Sequence, residues 1–470
     1  MRETAVRSPD ALDLSRPRRV HLTNVGGAGM SAVATLLAEG GHRVSGHEPA
    51  ATTPFVDQLV ALGVAVSTGP ERPPLPDDVE AVVVSTATPD DDPDVVAARE
   101  RGVPVLHRAA ALGALCAGRT TIAVAGTHGK TTTAALLATI LAGAGREPGW
   151  VVGARVVGLG RSAAWGGEGP LVVEADESDG TFLHLGAGSA IVTNVEPDHL
   201  DTWGGEARLR DGFHRFVAAL GGPAVLCADD PGARDLVASA AQPVTYGRDA
   251  GADYRVVEPR PAGTGVRFEL EHAGERVAVE VPAAPGVHNA LNAAAALAMA
   301  HVHGVPLGEG AAALRTFAGV ARRFEVRGEA GGVTVVDDYA HLPAEVRAAL
   351  AAAEAGPWRR VVAVFQPHRV SRTAALWRDF ADAFVDADRL AITDVYTAGE
   401  PPRPGVSGKL VVDAVLEAHP WAHVAWLPSL DDVLVWLRGV LRPGDVCLTL
   451  GAGDVTTLAP RILAMLEERR

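Results

Sequence analysis

Stretches rich in valine, isoleucine and leucine alternate with stretches rich in alanine and leucine along most of the chain. A continuous apolar run of four to eight residues is typical of a strand buried on both faces, and such strands belong to parallel sheets covered by helices. The alternation occurs in three sets, which predicts an α/β protein with three sheet-and-helix domains. The expected organisation is a flexible leader at 1–17 and domains at 18–118, 119–318 and 319–470.

The expected strands share an apolar core and a polar or glycine-rich boundary. They are RVHLTNV at 19–25, AVVVST at 81–86, TIAVA at 121–125, LVVEA at 171–175, AIVTNV at 190–195, antiparallel strands around GVRFEL and ERVAVEV, and then VTVVDD at 333–338, VVAVFQP, RLAITDV and DVCLTL. A helix is expected from about Met30 after the first strand, and another at TTTAALLATILAG after the third. The chain is therefore expected to be built mainly from strand–helix–strand units.

Composition narrows the class of protein. Hydrophobic residues make up 47% of the 470 residues and charged residues 21%, a balance that supports buried cores. The 42 basic and 57 acidic side chains give a net charge of −15, so no broad attraction to nucleic acid or anionic lipid is expected. Three scattered cysteines, a polar N-terminus and no apolar run of about 18 residues predict a cytoplasmic protein without membrane insertion.

A glycine-rich turn carries the strongest chemical signal. The string AVAGTHGKTTT at 123–133 lies between an expected strand and an expected helix, where backbone N–H groups and the helix dipole bind phosphate oxygens. Gly126 and Gly129 allow close backbone approach, Lys130 supplies positive charge, and Thr131 offers a hydroxyl to Mg²⁺. The alternative is an ordinary turn with an incidental lysine. We predict nucleotide binding, which hydrolases, kinases and ligases share.

Two further polar segments follow strands of the same set. Glu174 ends the strand LVVEA, and His199 lies in EPDHLD after the next strand. The carboxyl ends of parallel strands meet at one edge of a sheet, so both side chains are expected near the phosphate loop as ligands of Mg²⁺, with Mn²⁺ as an alternative ion. The competing interpretation is a solvated acidic loop and a surface histidine.

Several strings occur in the order found in one enzyme family. AGTHGKTTT, EADESDGTF, TNVEPDHLD and HNALNA are similar to the ATPase domain of the Mur ligases. VGGAGMS, GVARRFE, DDYAHLPAE, FQPHRVSRT, DVYTAGE and GDVCLTLGAGD extend the resemblance over nearly the whole chain, excluding the leader. The resemblance implies an N-terminal Rossmann-like domain for a UDP-sugar, a central P-loop ATPase domain, and a C-terminal Rossmann-like domain that closes on ATP and the amino acid.

The resemblance also implies a reaction. It is the ATP-dependent ligation of L-alanine to the carboxylate of UDP-N-acetylmuramate through an acyl phosphate, in peptidoglycan precursor synthesis. ATP and Mg²⁺ would be required, the partners would be small molecules, and the protein would be a monomer or homodimer.

Site residues follow from the matching motifs. The resemblance assigns catalysis to Lys130, Glu174 and His199, and metal binding to Thr131, Glu174 and His199. It assigns ATP binding to Gly126, Thr127, His128, Gly129, Lys130, Thr131, Thr132, Asn289, Asn292, Arg323 and Asp338. It assigns the UDP-sugar to Gly26, Gly27, Ala28, Gly29, Met30, Ser31, Ser85, Thr86 and Arg108, and the amino acid and carboxylate to His341, His368, Arg369 and Arg372.

The chain departs from the family pattern mainly in the first domain. The departures are Asn24 in the first glycine-rich loop, Gly46-His47-Glu48 after the second strand, Gly69-Pro70, Ala110 after Arg108, Leu342 and Val370. Asparagine tolerates positive φ, so the first turn is expected to be retained. Three alternatives remain: a paralogue that ligates a different carboxylate and amino acid, an inactive nucleotide-binding regulator, and a nicotinamide oxidoreductase suggested by the glycine-rich N-terminus.

Overall fold

A computed structural model describes residues 13–50, 53, 55–178, 180–198 and 200–468. Within these residues the strands form three sheets whose helical connections confirm the predicted α/β class. The chain divides into two compact units. One holds the residues up to Glu258 with Glu269–Val279 and Leu291–Thr316, and the other holds Pro259–Phe268, Glu280–Ala290 and Phe317–Arg470.

The first sheet has five parallel strands in the order β3-β2-β1-β4-β5. Its strands are β1 (Arg19–Thr23), β2 (Arg43–Glu48), β3 (Ala65–Thr68), β4 (Ala81–Val84) and β5 (Val105–His107). Its helices are α1 (Ala28–Glu39), α2 (Val56–Ala61), α3 (Pro93–Glu100) and α4 (Arg108–Cys116). The chain runs outward from β1 in one direction and from β4 in the other, and ligands of such sheets bind outside the strand ends at this switch point.

The second sheet has ten strands in the order β15-β14-β13-β12-β11-β10-β6-β9-β7-β8. They are β6 (Thr121–Ala125), β7 (Gly149–Val151), β8 (Ala163–Ala164), β9 (Leu171–Glu174), β10 (Ser189–Val192), β11 (Pro223–Cys227), β12 (Gln242–Gly247), β13 (Tyr254–Ala262), β14 (Gly265–His272) and β15 (Glu275–Val281). The helices of this part are α5 (Lys130–Gly143), α6 (Leu200–Trp203), α7 (Glu206–Ala218), α8 (Pro231–Asp235), α9 (Val287–Val302) and α10 (Leu307–Leu314). Strand β6 is buried along its whole length and pairs in parallel with β9 and β10, so the three strand ends form one edge.

The third sheet has the order β16-β17-β21-β18-β19-β20, in which only the pairing of β16 with β17 is antiparallel. Its strands are β16 (Glu325–Ala330), β17 (Val333–Asp338), β18 (Arg360–Phe365), β19 (Arg389–Ile392), β20 (Val424–Trp426) and β21 (Asp445–Leu450). Its helices are α11 (Pro343–Glu354), α12 (Val370–Leu376), α13 (Lys409–Ala418), α14 (Leu430–Val440) and α15 (Leu458–Glu467). Apolar clusters cover both faces, as the continuous apolar strands require.

Short 3-10 helices fill some connections, at Val157–Leu159, Thr181–His184, Leu236–Ser239, Trp377–Phe380 and Asp454–Thr457. Strands β6 and β17 have the predicted bounds, whereas β1 ends at Thr23 because Asn24 takes a left-handed φ of 48°. Helix α1 therefore begins at Ala28, two residues before the predicted start. Among the described residues, no helix combines the length and apolar character needed to cross a bilayer.

Candidate active site

The turn between β6 and α5 requires glycine at two positions. Gly126 and Gly129 have φ values of 130° and 83°, which side chains rarely adopt. A Cβ atom at Gly126 would collide with the Thr193 hydroxyl, and one at Gly129 would lie 2.7 Å from Asn292 Oδ1. The glycines therefore let the backbone turn close to its neighbours and leave N–H groups at the start of α5, the arrangement predicted for phosphate binding.

The segment after β10 braces this turn. Asn194 Oδ1 accepts from the His128 N–H at 2.8 Å, and Asn194 Nδ2 donates to the His128 carbonyl at 3.1 Å. The Thr193 hydroxyl donates to the same carbonyl at 2.6 Å, while the Thr127 N–H donates to the Asn194 carbonyl at 3.1 Å. Both bracing residues lie in the string TNVEPDHLD, in which sequence reasoning assigned a role only to His199.

Lys130 is the first residue of α5 and meets three acceptors. Its Nζ atom lies 2.7 Å from the Gly126 carbonyl, 3.2 Å from the Thr127 carbonyl and 2.7 Å from Glu177 Oε2. Burial raises the pKa of the Glu177 carboxyl, and the charge of Lys130 opposes that rise. Sequence reasoning missed Glu177, because it is one of several acids in EADESD and nothing in their spacing shows which one points inward.

Thr131 and Glu174 lie together at the edge of the sheet. The Thr131 hydroxyl donates to Glu174 Oε1 at 2.8 Å, and the Gly153 N–H donates to Glu174 Oε2 at 2.5 Å. Oxygen atoms are the ligands that Mg²⁺ prefers, so the Thr131 hydroxyl and the Glu174 carboxylate fit the predicted ion. Within the described residues, no group of three or more His, Cys, Asp or Glu side chains forms a metal site by itself. His199 lies outside the described residues.

The remaining predicted ATP residues of the P-loop domain are Thr132, Asn289 and Asn292. Thr132 lies half-buried in the first turn of α5. Asn292 is buried in α9 beside Gly129 of the phosphate loop, and its contact with ATP stays a prediction. Asn289 is also buried, and its Nδ2 atom donates to the Pro285 carbonyl at 2.7 Å, so this amide stabilises the start of α9.

Lysine is rare in this protein. Of the 42 basic residues, only Lys130 and Lys409 are lysines. Arginine carries almost all positive charge, yet the phosphate loop keeps a compact ammonium. An amine-selective acylating reagent should therefore modify at most these two side chains and the N-terminal amine. Lys130 is already held by three acceptors, so it should be labelled more slowly than the exposed Lys409. We expect MgATP to lower labelling of Lys130 further, several-fold, because the phosphates would exclude the reagent from the loop, and to leave Lys409 unchanged. Peptide mass spectrometry measures both sites at once, and equal labelling of Lys130 with and without MgATP would contradict the assignment.

The first glycine-rich loop lies at the switch point of the first sheet. Gly27 precedes α1 in an extended conformation, and the Gly26 N–H donates to Glu48 Oε2 at 2.9 Å. The Ala50 N–H donates to Glu48 Oε1 at 3.0 Å, so this buried carboxylate fixes the loop against the end of β2. Glu48 was noted only as a departure from the family pattern, and its contact with the loop was not predicted.

The other residues that are predicted to bind the UDP-sugar differ in their contacts and in their burial. The Arg108 guanidinium covers Gly29, where a Cβ atom would lie 2.5 Å from Nη1. The Thr86 hydroxyl lies 3.0 Å from His107 Nε2, and Ser85 bonds to the Thr88 hydroxyl through its N–H at 3.2 Å. Ala28, Met30 and Ser31 belong to α1. The side chains of Met30 and Ser31 are buried, so they support the helix rather than line its open end.

In the third domain, Asp338 shapes the loop that carries Arg323. Its two oxygens accept from the Phe324 N–H at 2.6 Å and the Ala340 N–H at 2.7 Å. Burial raises the pKa of Asp338 to about 6, and the charge of Arg323 opposes the rise. Arg322 and Phe324 have φ values of 60° and 46°, so the carboxylate holds a strained turn. Arg323 lies over the Tyr339 ring at 5.4 Å.

The residues predicted for the amino acid form one cluster. The rings of His341 and His368 are 5.8 Å apart, and Arg372 Nη1 lies 3.5 Å from His368 Nδ1. Arg369 has a φ of 68°, and its N–H donates to the Tyr396 carbonyl at 2.8 Å. The structure therefore brings all four predicted residues together within one compact unit.

Two neighbours of this cluster were missed. The Tyr396 ring stacks on His368 with centroids 5.7 Å apart. Glu400 accepts from the Ser371 N–H and hydroxyl, both at 2.8 Å, and lies 3.9 Å from Arg369. Both residues belong to the string DVYTAGE, which served only for recognition of the family.

The histidine cluster should make stability depend on pH. Burial, followed by the charges of His341, Arg372 and Arg369, lowers the pKa of His368 from 6.5 to about 4, against the opposing charge of Glu400. Between these values the unfolded chain binds a proton that the folded chain does not, so stability is full above pH 6.5 and is lost as pH falls toward 4. The free energy of unfolding of the unmodified chain should therefore fall between pH 7 and pH 5. We expect this fall to be about 1 kcal/mol smaller in His368→Gln, a modest value because partial exposure of His368 weakens the effect.

Urea unfolding at the two pH values measures this change. His419→Gln is a suitable control, because His419 pairs with the exposed Asp382 away from the cluster. If His368→Gln and the unmodified chain lost equal stability between pH 7 and pH 5, the low pKa would be wrong.

Comparison with known proteins tests the predicted architecture. The family model described as "Mur ligase family, catalytic domain" matches residues 19–120, the "Mur ligase middle domain" matches 124–300, and "Mur ligase, glutamate ligase domain" matches 322–453. The three matches confirm the predicted three-domain Mur ligase architecture. The domain bounds that the sequence suggested stay a prediction.

Relatives match over almost the whole chain. A UDP-N-acetylmuramate–L-alanine ligase of Anaeromyxobacter sp. (strain Fw109-5) is 44% identical over 456 residues, covering 96% of this chain and 99% of that protein. One of Kineococcus radiotolerans is 46% identical over 469 residues, covering 97% and 98%. The crystal structure of UDP-N-acetylmuramate-alanine ligase MurC from Thermotoga maritima is 28% identical, with a TM-score of 0.81 over 96% of this chain and 100% of that one. Identity at this level over nearly complete chains means that this chain belongs to the Mur ligase family.

Proposed function

We propose that the chain ligates L-alanine to the carboxylate of UDP-N-acetylmuramate at the expense of ATP, as a step of peptidoglycan precursor synthesis. The observation that carries the proposal is the phosphate loop, in which Thr131 meets Glu174 at the end of β9 and Lys130 meets Glu177 in the loop that follows. The relatives named for this reaction, which match nearly the whole chain, support the choice of substrates. ATP use and three buried thiols accord with a cytoplasmic reaction.

The chemistry needs an activated carboxylate, because a carboxylate oxygen is a poor leaving group. In the first step the substrate carboxylate attacks the γ-phosphorus of ATP, the bond to the β-phosphate oxygen breaks, and ADP leaves an acyl phosphate. Lys130 and the N–H groups at the start of α5 stabilise the charge on the phosphoryl oxygens. In the second step the L-alanine amine attacks the acyl carbon, phosphate departs with the C–O electron pair, and the amine loses a proton.

Thr131 and Glu174 would hold the divalent cation. Their oxygens are 2.8 Å apart at the edge of the sheet and are hard ligands suited to Mg²⁺. When bound there, Mg²⁺ supplies positive charge to the nucleotide phosphates. The Gly153 N–H fixes the second oxygen of Glu174, so the carboxylate is oriented before any ligand arrives.

The cluster around His341 and His368 is the proposed site for the amino acid and the reacting carboxylate. Arginine binds a carboxylate through two parallel N–H donors, and Arg369 and Arg372 supply two such groups. The lowered pKa values of His341 and His368 keep both rings neutral near pH 7, so each ring has a nitrogen that can accept a hydrogen bond from an ammonium group. Glu400 positions this segment through its bonds to Ser371.

A coupled phosphate-release assay tests the function. With MgATP, UDP-N-acetylmuramate and L-alanine together, we expect phosphate and the UDP-sugar–alanine amide in equal amounts. Omitting either UDP-N-acetylmuramate or L-alanine should reduce phosphate release to background. Release that does not depend on L-alanine would refute the assignment. Activity only with another carboxylate would identify a paralogue, an outcome to which the altered residues Asn24, His47 and Glu48 give a structural basis.

A further inference from the structure

The ammonium group of Lys130, which is proposed to bind the phosphoryl group of ATP, forms an ion pair with Glu177. An ammonium has three N–H donors, and Lys130 has three acceptors within hydrogen-bonding distance: the carbonyls of Gly126 and Thr127 and the Glu177 carboxylate. The side chain of Lys130 is 14% exposed and that of Glu177 only 2%. The donors of Lys130 are therefore committed within the protein.

Glu177 is held in place by its own backbone. Its carbonyl accepts from Trp203 Nε1 at 3.0 Å and from the Gly180 N–H at 3.1 Å. The Trp203 ring packs edge-on against Phe182 with centroids 6.0 Å apart. These two bonds fix the backbone at Glu177, and two acids three residues apart contact the adjacent residues Lys130 and Thr131.

A phosphate oxygen can bond to Lys130 only if one of these acceptors gives way. The two carbonyls are neutral and belong to the loop that would surround the phosphates. Glu177 is negative, and the phosphates of ATP repel it while they attract Lys130. Electrostatics therefore selects Glu177 as the partner that phosphate replaces.

We propose that Glu177 is a positioning residue, which holds Lys130 against the loop in the nucleotide-free protein and is exchanged for a phosphate oxygen when MgATP binds. The inference rests on the proposed function only in that the loop binds ATP. It does not depend on which carboxylate or amino acid is ligated. Because Lys130 is held near its working position, less freedom is lost when the phosphate contact forms.

The variant Glu177→Gln separates charge from contact. Its amide oxygen can still accept from Lys130, but the negative charge is gone, so the exchange for phosphate costs less. We expect the dissociation constant of the Mg complex of a non-hydrolysable ATP analogue to fall about tenfold. Isothermal titration calorimetry measures this constant. In steady state the same variant should lower KM for ATP, a change that a merely structural role of Glu177 would not produce.

Asp176→Asn is the matched control, since it removes the same charge one residue away. Its Oδ1 atom accepts from the Ser178 N–H at 3.0 Å, a bond that asparagine retains. We expect the dissociation constant of this control to stay within about twofold of the unmodified chain, because Asp176 is only partly buried and solvent screens its charge more than that of the buried Glu177. Equal affinities for Glu177→Gln and Asp176→Asn, or weaker binding by Glu177→Gln, would overturn the exchange.

A structure of the unmodified chain with the same analogue decides the matter if Glu177→Gln does not fold. Lys130 Nζ should then lie within hydrogen-bonding distance of a phosphate oxygen and beyond it from Glu177. A pair that remains at 2.7 Å with nucleotide bound would overturn the proposal. The two proposals can fail separately. If the analogue binds as expected but the chain has no ligase activity, the proposed function is wrong and the exchange of Glu177 for phosphate is still supported.

Discussion

Replacing Lys130 by methionine is expected to lower kcat for phosphate release on the order of 10³-fold, the scale seen when a charge that stabilises a transferring phosphoryl group is lost. Methionine preserves the unbranched apolar stem of lysine but lacks the terminal ammonium and its positive charge. It also leaves the buried Glu177 carboxylate without its cation, so that group is expected to take up a proton. Stopped assays at saturating UDP-N-acetylmuramate, L-alanine and MgATP measure the change in kcat.

The chain supplies its own control, because its only other lysine is Lys409. That side chain is 52% exposed and pairs with Asp413 across one turn of α13 at 2.6 Å. Lys409→Met should leave kcat unchanged and alter the free energy of unfolding by no more than about 0.5 kcal/mol. A Lys130→Met enzyme with kcat within tenfold of the unmodified chain would disprove the assigned role of Lys130, provided that circular dichroism shows it folded.

The sequence pattern was sufficient for the strands that carry the site. The apolar run at 121–125 is β6, and Glu174 ends β9, so the phosphate loop and the acid meet at one edge as parallel pairing requires. These features depend on local periodicity and on the topology of strand–helix–strand units, both of which can be read from one sequence.

The contacts that brace the loop could not be predicted in this way. Glu177 meets Lys130 across 47 residues, and Asn194 meets His128 across 66. Which carboxylate of an acidic loop turns inward depends on backbone angles between the strand ends, and alternating hydrophobicity carries no information about them. Asp338 illustrates the same limit, because a residue expected to bind ATP also holds the backbone of a strained turn.

Replacing Glu174 by glutamine should weaken the use of Mg²⁺ while the fold is retained. The amide can accept from the Gly153 N–H and donate to the Thr131 hydroxyl, so both present contacts have a counterpart. The negative charge that attracts the cation is lost. We expect kcat/KM at limiting Mg²⁺ to fall on the order of 10²-fold, and the Mg²⁺ concentration for half-maximal phosphate release to rise.

Asp176→Asn again provides the matched control, because it removes one charge from the same loop without touching Thr131. Its Mg²⁺ dependence should coincide with that of the unmodified chain. Mg²⁺ titrations that coincide for Glu174→Gln and the unmodified chain would show that Glu174 serves only to orient Thr131. The glutamine variant keeps the hydrogen bond to the Thr131 hydroxyl and lacks only the negative charge of Glu174. An unchanged Mg²⁺ dependence would therefore mean that other groups near the phosphate loop hold the cation.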